Sequence, residues 1–254
     1  MPATPAWPPR SAPRLFVAEP IEAGREVRIE GNQAHYLTKV MRIGPSSVVV
    51  LCDDVTGEWS ATVRDVAKRH VTLEPTHRLR TRELVPDFWL CAALLKKDRF
   101  DLVLEKATEL GVARIVPVIT RRCVADKLNR DRAAAIVTEA AEQCARTALP
   151  NVGKPISLDR LLGEWPQSRS LFFADEQGGE VAAELFGRDT GASALLIGPE
   201  GGFDDAEREA IRAHSHSRPV SLGPRVLRGE TAAISATALW MGIAGDWAGD
   251  RDAH

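Results

Sequence analysis

The strongest constraint on the fold is a change of rhythm at Phe88, after which short apolar runs alternate with helical patterns. The runs FWLCAAL, RIVPVIT, LFFAD, SALLIG and PVSLG have the length and composition of buried strands. Strands that alternate with helices are typical of a mostly parallel sheet with helices on both faces. We therefore expect an α/β domain in the second part of the chain.

The first helix after this change shows the pattern most clearly. The segment DRFDLVLEKATELG places these apolar residues on one helical face: Phe100, Val103, Leu104, Ala107 and Leu110. Asp98 is expected to cap this helix and Gly111 to end it. Pro117, within RIVPVIT, indicates a strand at the edge of the sheet or an irregularity in its pairing.

The residues before Phe88 predict a different kind of structure. The segments EVRIEG, SVVVLCD, EWSATVRDV and HVTLEP are short and rich in β-branched residues, which favours a small β-barrel of about 60 residues. The segment HYLTKVMRIGP adds a helical turn between them. We predict four parts: a disordered lead-in at 1–13, the barrel at 14–80, the α/β domain at 81–246 and a loose tail at 247–254.

The overall charge does not indicate a nucleic-acid partner. The 254 residues carry 33 Lys and Arg against 35 Asp and Glu, a net charge of −2, so any positive field must be local. No apolar run is long enough to span a bilayer, and the proline-rich start lacks the apolar core of a secretory signal. The four cysteines form no CxxC pair. We expect a cytoplasmic protein with reduced thiols, without a metal and without a membrane partner.

Two glycine-rich segments follow predicted strands and are the best candidates for a binding site. They are LLIGPEGGF at 195–203 and LGPRVLRGETA at 222–232. Glycines at the carboxyl end of a strand let the backbone turn sharply and approach a ligand, so the segments predict opposite walls of one cleft. The absence of GxGxxG disfavours a nucleotide-binding oxidoreductase. On composition alone, an ordinary tight turn and a helix-cap salt bridge from Arg228 to Glu230 remain alternatives.

Together with other segments, these two motifs resemble the RsmE family, the 16S ribosomal RNA uridine N3-methyltransferases of the SPOUT class. The resemblance extends to LFV with HYLTKVMRIGP, to LLKKDRFDLVLEKATELGVARIVPVITRRCV and to EAAEQCARTALP. It implies a trefoil-knotted SPOUT methyltransferase domain with a small N-terminal PUA-like β-barrel. It also implies S-adenosyl-L-methionine as the cofactor, 16S ribosomal RNA or the small ribosomal subunit as the partner, and a homodimer.

The resemblance also carries over to individual positions. It implies cofactor-binding residues at Ile197, Gly198, Gly201, Gly202, Leu222, Gly223, Val226, Leu227 and Arg228. Arg228, as the electrostatic partner of the uracil anion, and Glu200 are the expected catalytic residues. Contacts with RNA are expected at Arg14, Lys39, Arg42, Lys97, Arg121, Arg122, Gln143 and Arg146. Gly229 stands where many relatives carry Thr, a change expected to loosen the start of the last helix.

Three alternatives stay open at the level of sequence. Gln143 and Arg146 share a helical stripe with Glu139 and Glu142, which also fits an ordinary solvated face. A knotted methyltransferase that acts on another RNA or another atom, such as a tRNA ribose, would carry related motifs. A non-catalytic RNA-binding protein would not bind S-adenosyl-L-methionine.

Overall fold

The computed structural model describes residues 12–188 and 191–249. The expected lead-in at 1–13 and tail at 247–254 therefore lie largely outside the described residues. By their contacts the residues form two compact units. The first holds the chain up to Leu84 together with Ala141–Leu149, and the second holds Val85–Ala140 and the chain from Pro150 onward. The return of Ala141–Leu149 to the first unit is a feature that a single boundary near residue 80 does not include.

The first unit is built on a five-stranded sheet. Its strands are β1 (Arg14–Phe16), β2 (Val27–Glu30), β3 (Val48–Asp53), β4 (Gly57–Val66) and β5 (His70–Arg80). They lie in the order β1-β3-β4-β5-β2, with β1 parallel to β3 and the other neighbours antiparallel. Among the described strands, β1 and β2 do not pair with each other, so strand pairing does not close the sheet into a barrel.

A helical turn and an aspartate complete the first unit. Helix α1 (Gly31–His35) continues into a π-helical turn at Tyr36–Val40, where the sequence predicts helical structure. Asp53, at the end of β3, accepts hydrogen bonds at 2.7 Å from the backbone N–H groups of Ile21 and Val55. The core beneath the sheet is aliphatic and includes Leu15, Ile29, Leu37, Val49, Leu51, Val63, Val71 and Leu73.

The returning segment Ala141–Leu149 is hydrogen bonded into the first unit. The side chain of Glu142 accepts from the backbone N–H of Phe16 at 2.8 Å. The side chain of Glu83 accepts from the backbone N–H of Thr147 at 2.6 Å. The returning segment is therefore bonded both to β1 and to the residues that follow β5.

The second unit is an α/β structure with an eight-stranded sheet. Its strands are β6 (Phe88–Ala93), β7 (Arg114–Ile119), β8 (Asn151–Val152), β9 (Ile156–Ser157), β10 (Ser170–Ala174), β11 (Glu180–Val181), β12 (Ser193–Ile197) and β13 (Ser217–Ser221). Its helices are α2 (Lys97–Glu109), α3 (Arg130–Cys144, which ends in the first unit), α4 (Leu158–Gly163), α5 (Ala182–Gly187), α6 (Asp205–Ala213) and α7 (Gly229–Ile243), followed by a 3-10 turn at Asp246–Ala248.

All pairings in this second sheet are parallel. The order is β11-β13-β10-β12-β6-β7-β8, with β9 pairing along β7 as well. Alternate residues of β12 enter two different cores: Leu195 and Ile197 pack with α2, α5 and α7, while Ala194 and Leu196 pack with α4 and α6. The predicted parallel sheet with helices on both faces is confirmed.

Local expectations had mixed outcomes. The prediction that Asp98 caps α2 is wrong. The helix begins at Lys97, so that Lys96 is its N-cap and Asp98 lies in its first turn. Gly111 does end the helix, with a φ of +91°. Pro117 marks an irregularity as expected, because β8 pairs with the start of β7 and β9 with its end, leaving Pro117 between the two short strands.

The described residues contain neither a membrane-spanning helix nor a cluster of metal-ligating side chains. No helix in them is long and apolar enough to cross a membrane. No group of three His, Cys, Asp or Glu side chains within residues 12–188 and 191–249 is placed to hold a metal ion. Cys52 and Cys91 are free and buried, and desolvation by burial raises the pKa of each to about 12.

Candidate functional site

Three loops line one cleft at the carboxyl edge of the parallel sheet. The first loop (residues 198–204) follows β12, the second loop (222–228) follows β13, and the third loop (175–178) follows β10. Because β12 and β13 both pair with β10 in parallel, the ends of the three strands lie side by side. The cleft holds about 800 Å³ of open space, its mouth and the adjoining solvent included.

Glycine is required at two positions of the first loop. A Cβ on Gly198 would lie 2.8 Å from the ring of Phe203, and a Cβ on Gly202 would lie 2.7 Å from Oε1 of Glu176. Gly202 also has a φ of +65°, in the region that favours glycine. Both glycines line the cleft. At Gly198 the buried ring of Phe203 leaves no room for a side chain, whereas at Gly202 the positive φ is the constraint, because the half-exposed carboxylate of Glu176 can move away.

Arginine side chains hold the first loop. Arg99 of α2 donates a hydrogen bond to Glu200 at 3.2 Å, and Arg122 donates to the carbonyl oxygen of Gly201 at 2.9 Å. Neither Glu200 nor Gly201 is among the residues that line the cleft. The guanidinium of Arg122, expected to contact RNA, is thus also bonded within the protein.

The end of the first loop is fixed by a capping box at the start of α6. Asp204 accepts from the backbone N–H of Glu207, and Glu207 accepts from that of Asp204. Arg121 donates to both carboxylates, through its side chain to Asp204 and through its backbone to Glu207. The hydrogen bond from Glu207, and then Arg121, lower the pKa of Asp204. The pattern Asp-x-x-Glu before a helix is the sequence signal for this box.

The second loop forms a more exposed wall. Gly223 has a φ of +110°, and no atom lies within 4 Å of the position its Cβ would take. Val226 lines the cleft with 83% of its surface exposed, and Leu222 and Leu227 stand beside it. An exposed apolar side chain at the wall of a cleft suits contact with the flat face of a ligand.

Arg228 ends the second loop at the N-cap of α7. Its side chain is exposed and, in the described part of the chain, makes no ion pair or cap hydrogen bond. The alternative of a salt bridge from Arg228 to Glu230 is wrong, because Glu230 lies 3.7 Å from Nε of Arg99 instead. Arg228 does not itself line the cleft, but its neighbours Leu227 and Gly229 do.

The sequence reasoning missed the third loop. Asp175 and Glu176 line the cleft together with Arg208 of α6. The fully buried side chain of Asp175 pairs with Arg208 at 3.2 Å and with Arg212 at 2.6 Å. Glu176 pairs with Arg208 at 2.9 Å. A signal was present, because LFFADEQGG repeats the pattern of a strand followed by glycines.

The residues of the cleft define the ligand that it suits. The apolar wall of the second loop can cover a ring, and exposed backbone groups can read the edge of that ring. The carboxylate of Glu176, 45% exposed, favours hydroxyl or cationic groups. The arrangement therefore suits a flat, polar-edged molecule that also carries hydroxyls or positive charge.

Most residues expected to bind the cofactor lie together. Those that line the cleft are Ile197, Gly198, Gly202, Leu222, Gly223, Val226 and Leu227. Gly201, Glu200 and Arg228 belong to the same loops without lining it. Binding and catalytic roles for these residues stay predictions.

The residues expected to contact RNA are divided between the units. The second unit holds Lys97, Arg121 and Arg122, and the first holds Arg14, Lys39, Arg42, Gln143 and Arg146. The exposed ones without a side-chain bond described above are Lys39, Arg42, Lys97 and Gln143. Arg14 pairs with Glu58, and Arg146 is buried, where desolvation lowers the pKa of its guanidinium. Contact of all these residues with RNA stays a prediction.

A second cleft in the first unit is lined by basic side chains. It lies between α1 with its π-helical turn and the turn that joins β4 to β5. The basic residues that line it are Arg28, His35, Lys39, Lys68, Arg69 and His70. Its acidic residue, Glu30, pairs with Arg28 at 2.7 Å. This basic cleft is a local positive surface on a chain whose net charge is −2.

Comparison with known families and sequences agrees with this geometry. A family model described as an RNA methyltransferase domain matches residues 82–241, and one described as an RNA methyltransferase PUA domain matches residues 29–76. The ribosomal RNA small subunit methyltransferase E of Bacillus subtilis is 30% identical over 232 residues, which cover 85% of this chain and 90% of that relative.

Two solved structures are similar over nearly their whole length. One is a ribosomal RNA small subunit methyltransferase E from Neisseria gonorrhoeae bound to S-adenosyl methionine, with a TM-score of 0.83, 28% identity, and coverage of 93% of this chain and 99% of that chain. The other is a methyltransferase from Legionella pneumophila in complex with the bound cofactor SAM, with a TM-score of 0.84, 29% identity, and coverage of 92% and 99%.

Proposed function

Since the chain belongs to the RNA methyltransferase family that includes the ribosomal RNA small subunit methyltransferase E proteins, we propose that it methylates N3 of a uridine in 16S ribosomal RNA. S-adenosyl-L-methionine is the proposed methyl donor. The observation that carries the proposal is the cleft formed by the first, second and third loops. Two of these loops contain the motifs on which the resemblance rests.

The residues of the cleft fit this donor. Leu222, Val226 and Leu227 offer an apolar wall for an adenine ring, with backbone groups of the second loop beside them. The carboxylate of Glu176 suits a ribose hydroxyl or an amino group. When bound, S-adenosyl-L-methionine supplies a methyl group that its sulfonium already activates. The task of the protein is therefore to bind and orient the reactants.

Arg228 is the residue that we propose to assist the nucleophile. Uracil N3 carries a proton, and an anion whose pKa lies about two units above the working pH costs about 2.7 kcal/mol to form. An exposed guanidinium that makes no ion pair among the described residues can stabilise this anion as it develops. The uridine must be unpaired or flipped out of a helix to reach the cleft.

Replacing Arg228 with alanine tests this role. We expect kcat to fall by about 10²-fold or more, as when a preorganised electrostatic group is removed, while the protein still folds. The matched control is Arg218→Ala, which removes an exposed arginine of β13 that does not line the cleft. Methylation by folded Arg228→Ala protein at the rate of the control would exclude Arg228 from the mechanism.

Mass mapping of nucleosides in ribosomal RNA tests the reaction itself. Cells that lack the chain should lose one 3-methyluridine from 16S ribosomal RNA and regain it when the chain is restored. A methylated ribose, or a change in transfer RNA instead, would favour the alternative substrate. Unchanged methylation everywhere, together with RNA binding, would favour a non-catalytic RNA-binding protein.

The basic cleft of the first unit is our proposed contact with the RNA backbone. Its cations Lys39, Lys68 and Arg69 are exposed, and no ion pair is found for them among the described residues. Phosphate contacts release counterions, so RNA affinity should fall steeply as salt concentration rises. A flat salt response would count against this contact.

The knot, the homodimer and the cytoplasmic location also belong to the proposal. Helix α7 presents Thr231, Ser235, Ala238 and Gly242 along one exposed or half-buried side, at helical spacing. Small residues in such a row allow a close contact with a second copy of the helix. Light scattering should then give twice the chain mass of 27.7 kDa. A monomer at micromolar concentration would contradict the homodimer.

A further inference from the structure

One guanidinium lies between carboxylates on both glycine-rich segments. Nη1 of Arg99 donates to Oε1 of Glu200 at 3.2 Å, in the middle of the first loop. Nε of the same side chain lies 3.7 Å from Oε1 of Glu230. Glu230 follows the second loop directly, in the first turn of α7. Arg99 is therefore shared between two segments that are far apart in sequence.

The surroundings make this arrangement more than a surface ion pair. The side chains of Arg99, Glu200 and Glu230 are 31%, 22% and 12% exposed, so solvent screens them only in part. Oε2 of Glu230 is buried and has no hydrogen-bond partner among the described residues. Among the described residues Arg99 is the cation that pairs with Glu230, and the N-terminus of α7 adds to the compensation of its charge.

The backbones of the two segments also touch beside this group. A Cβ on Gly229 would lie 2.9 Å from a methyl carbon of Leu95 and 3.3 Å from the carbonyl oxygen of Gly198. Gly198 and Gly229 both line the cleft, whereas Arg99 does not. A change in the spacing between the two segments would therefore change the width of the cleft.

We propose that Arg99 is a positioning residue that joins the first loop to the start of α7 and thereby sets the affinity for S-adenosyl-L-methionine. The inference rests on the proposed function, because it assigns that cofactor to the cleft. Without the guanidinium, the two carboxylates lose the cation that they share, and the loops separate. Cofactor binding must then also order the loops, and this entropic cost lowers the affinity for the cofactor.

Calorimetric titration of the full chain with S-adenosyl-L-methionine tests the proposal. Arg99→Ala should raise Kd by about tenfold, the loss expected for one charge-assisted contact. Arg99→Lys should recover most of the lost affinity, because lysine restores the positive charge, although it lacks the planar, forked set of donors of a guanidinium. In steady-state assays KM for the cofactor should rise with kcat at saturation unchanged. The matched control is Arg132→Ala. It removes an arginine of α3 that pairs with Asp101 of α2, the helix that also carries Arg99.

A mutant cycle shows whether Arg99 acts through the two carboxylates. The double variant Glu200→Gln, Glu230→Gln should bind the cofactor more weakly than the wild type. Adding Arg99→Ala to that variant should change Kd by less than about twofold, because coupled residues are not additive. The double variant keeps the test available should Arg99→Ala fail to fold.

The possible results separate the inference from the proposed function. A wild-type chain that does not bind S-adenosyl-L-methionine refutes the proposed function, and the inference falls with it. A wild-type chain that binds, with Arg99→Ala or the double variant binding equally well, refutes the inference alone. A tenfold effect of Arg99→Ala that persists in the double-variant background, or a fall in kcat with KM unchanged, also overturns it.

Discussion

Replacing Gly198 with alanine adds one methyl group where the first loop lies against the ring of Phe203. The new Cβ would lie 2.8 Å from Cε2 and 3.1 Å from Cδ2 of Phe203, whereas ordinary contacts begin near 3.4 Å. Phe203 is 3% exposed and packs edge-on against Phe173, with ring centroids 5.3 Å apart. The ring therefore has little room to retreat by the half ångström or so that is needed.

The expected loss of stability follows from this geometry. Overpacking of a well-filled core by one carbon costs about 1–3 kcal/mol, and we expect about 2 kcal/mol for Gly198→Ala. Urea unfolding should show this as a lower midpoint with an unchanged slope. Where the loop moves in place of the ring, the cleft changes shape, so affinity for S-adenosyl-L-methionine should fall as well.

Two further variants make the test specific. Gly163→Ala is the control, because no atom lies within 4 Å of its Cβ position and its φ is not positive; it should unfold at or above the wild-type midpoint. The double variant Phe203→Leu, Gly198→Ala should lose less free energy of unfolding than the two single variants together, since a smaller side chain at 203 relieves the clash. A Gly198→Ala midpoint equal to that of Gly163→Ala would refute the steric reasoning.

Three other predictions concern stability, RNA and thiols. Burial raises the pKa of Asp53, but its hydrogen bonds together lower it below the usual value. The stability that they give is thus present above about pH 4 and lost as pH falls through the lowered pKa. Asp53→Asn should therefore be less stable than the wild type at pH 7, by urea unfolding, and the difference should narrow as pH falls below about 4. Lys68→Glu with Arg69→Glu should weaken RNA binding about tenfold or more in 100 mM salt and flatten its salt dependence, in filter-binding assays. Cys52 and Cys91, with pKa values raised to about 12, should resist a thiol reagent at pH 8 until urea unfolds the chain; labelling of either in the native protein would contradict that burial.

The alternation of strands and helices was readable from the sequence because it depends on local periodicity. The first and second loops were readable for a similar reason, since each places glycines at the end of an apolar strand. The third loop carries the same signal in a weaker form, because Asp175 and Glu176 come before its glycines. The expectation of a knot rests on the resemblance alone, and local patterns argue against knots in general.

Pairings over long separations could not be read from local patterns. Arg99 meets Glu200 across 101 positions, and no periodicity connects them. The spacing in the sequence favours Arg228 as the partner of Glu230, yet the ion pair of Glu230 is with Arg99. Gly229 likewise packs closely against Leu95, a contact that no local pattern predicts. Spacing in the sequence therefore gives candidate partners, and the fold determines which pairs form.

The split course of α3 has a consequence for the order of synthesis. Its last residues and those that follow, Ala141–Leu149, belong to the first unit. At about 5–20 residues per second, the ribosome adds them roughly 3–13 s after Leu84. During that interval the backbone N–H of Phe16 lacks its acceptor Glu142, and Glu83 lacks Thr147. The nascent first unit therefore lacks these hydrogen bonds until the ribosome has made a segment that lies midway through the sequence of the second unit.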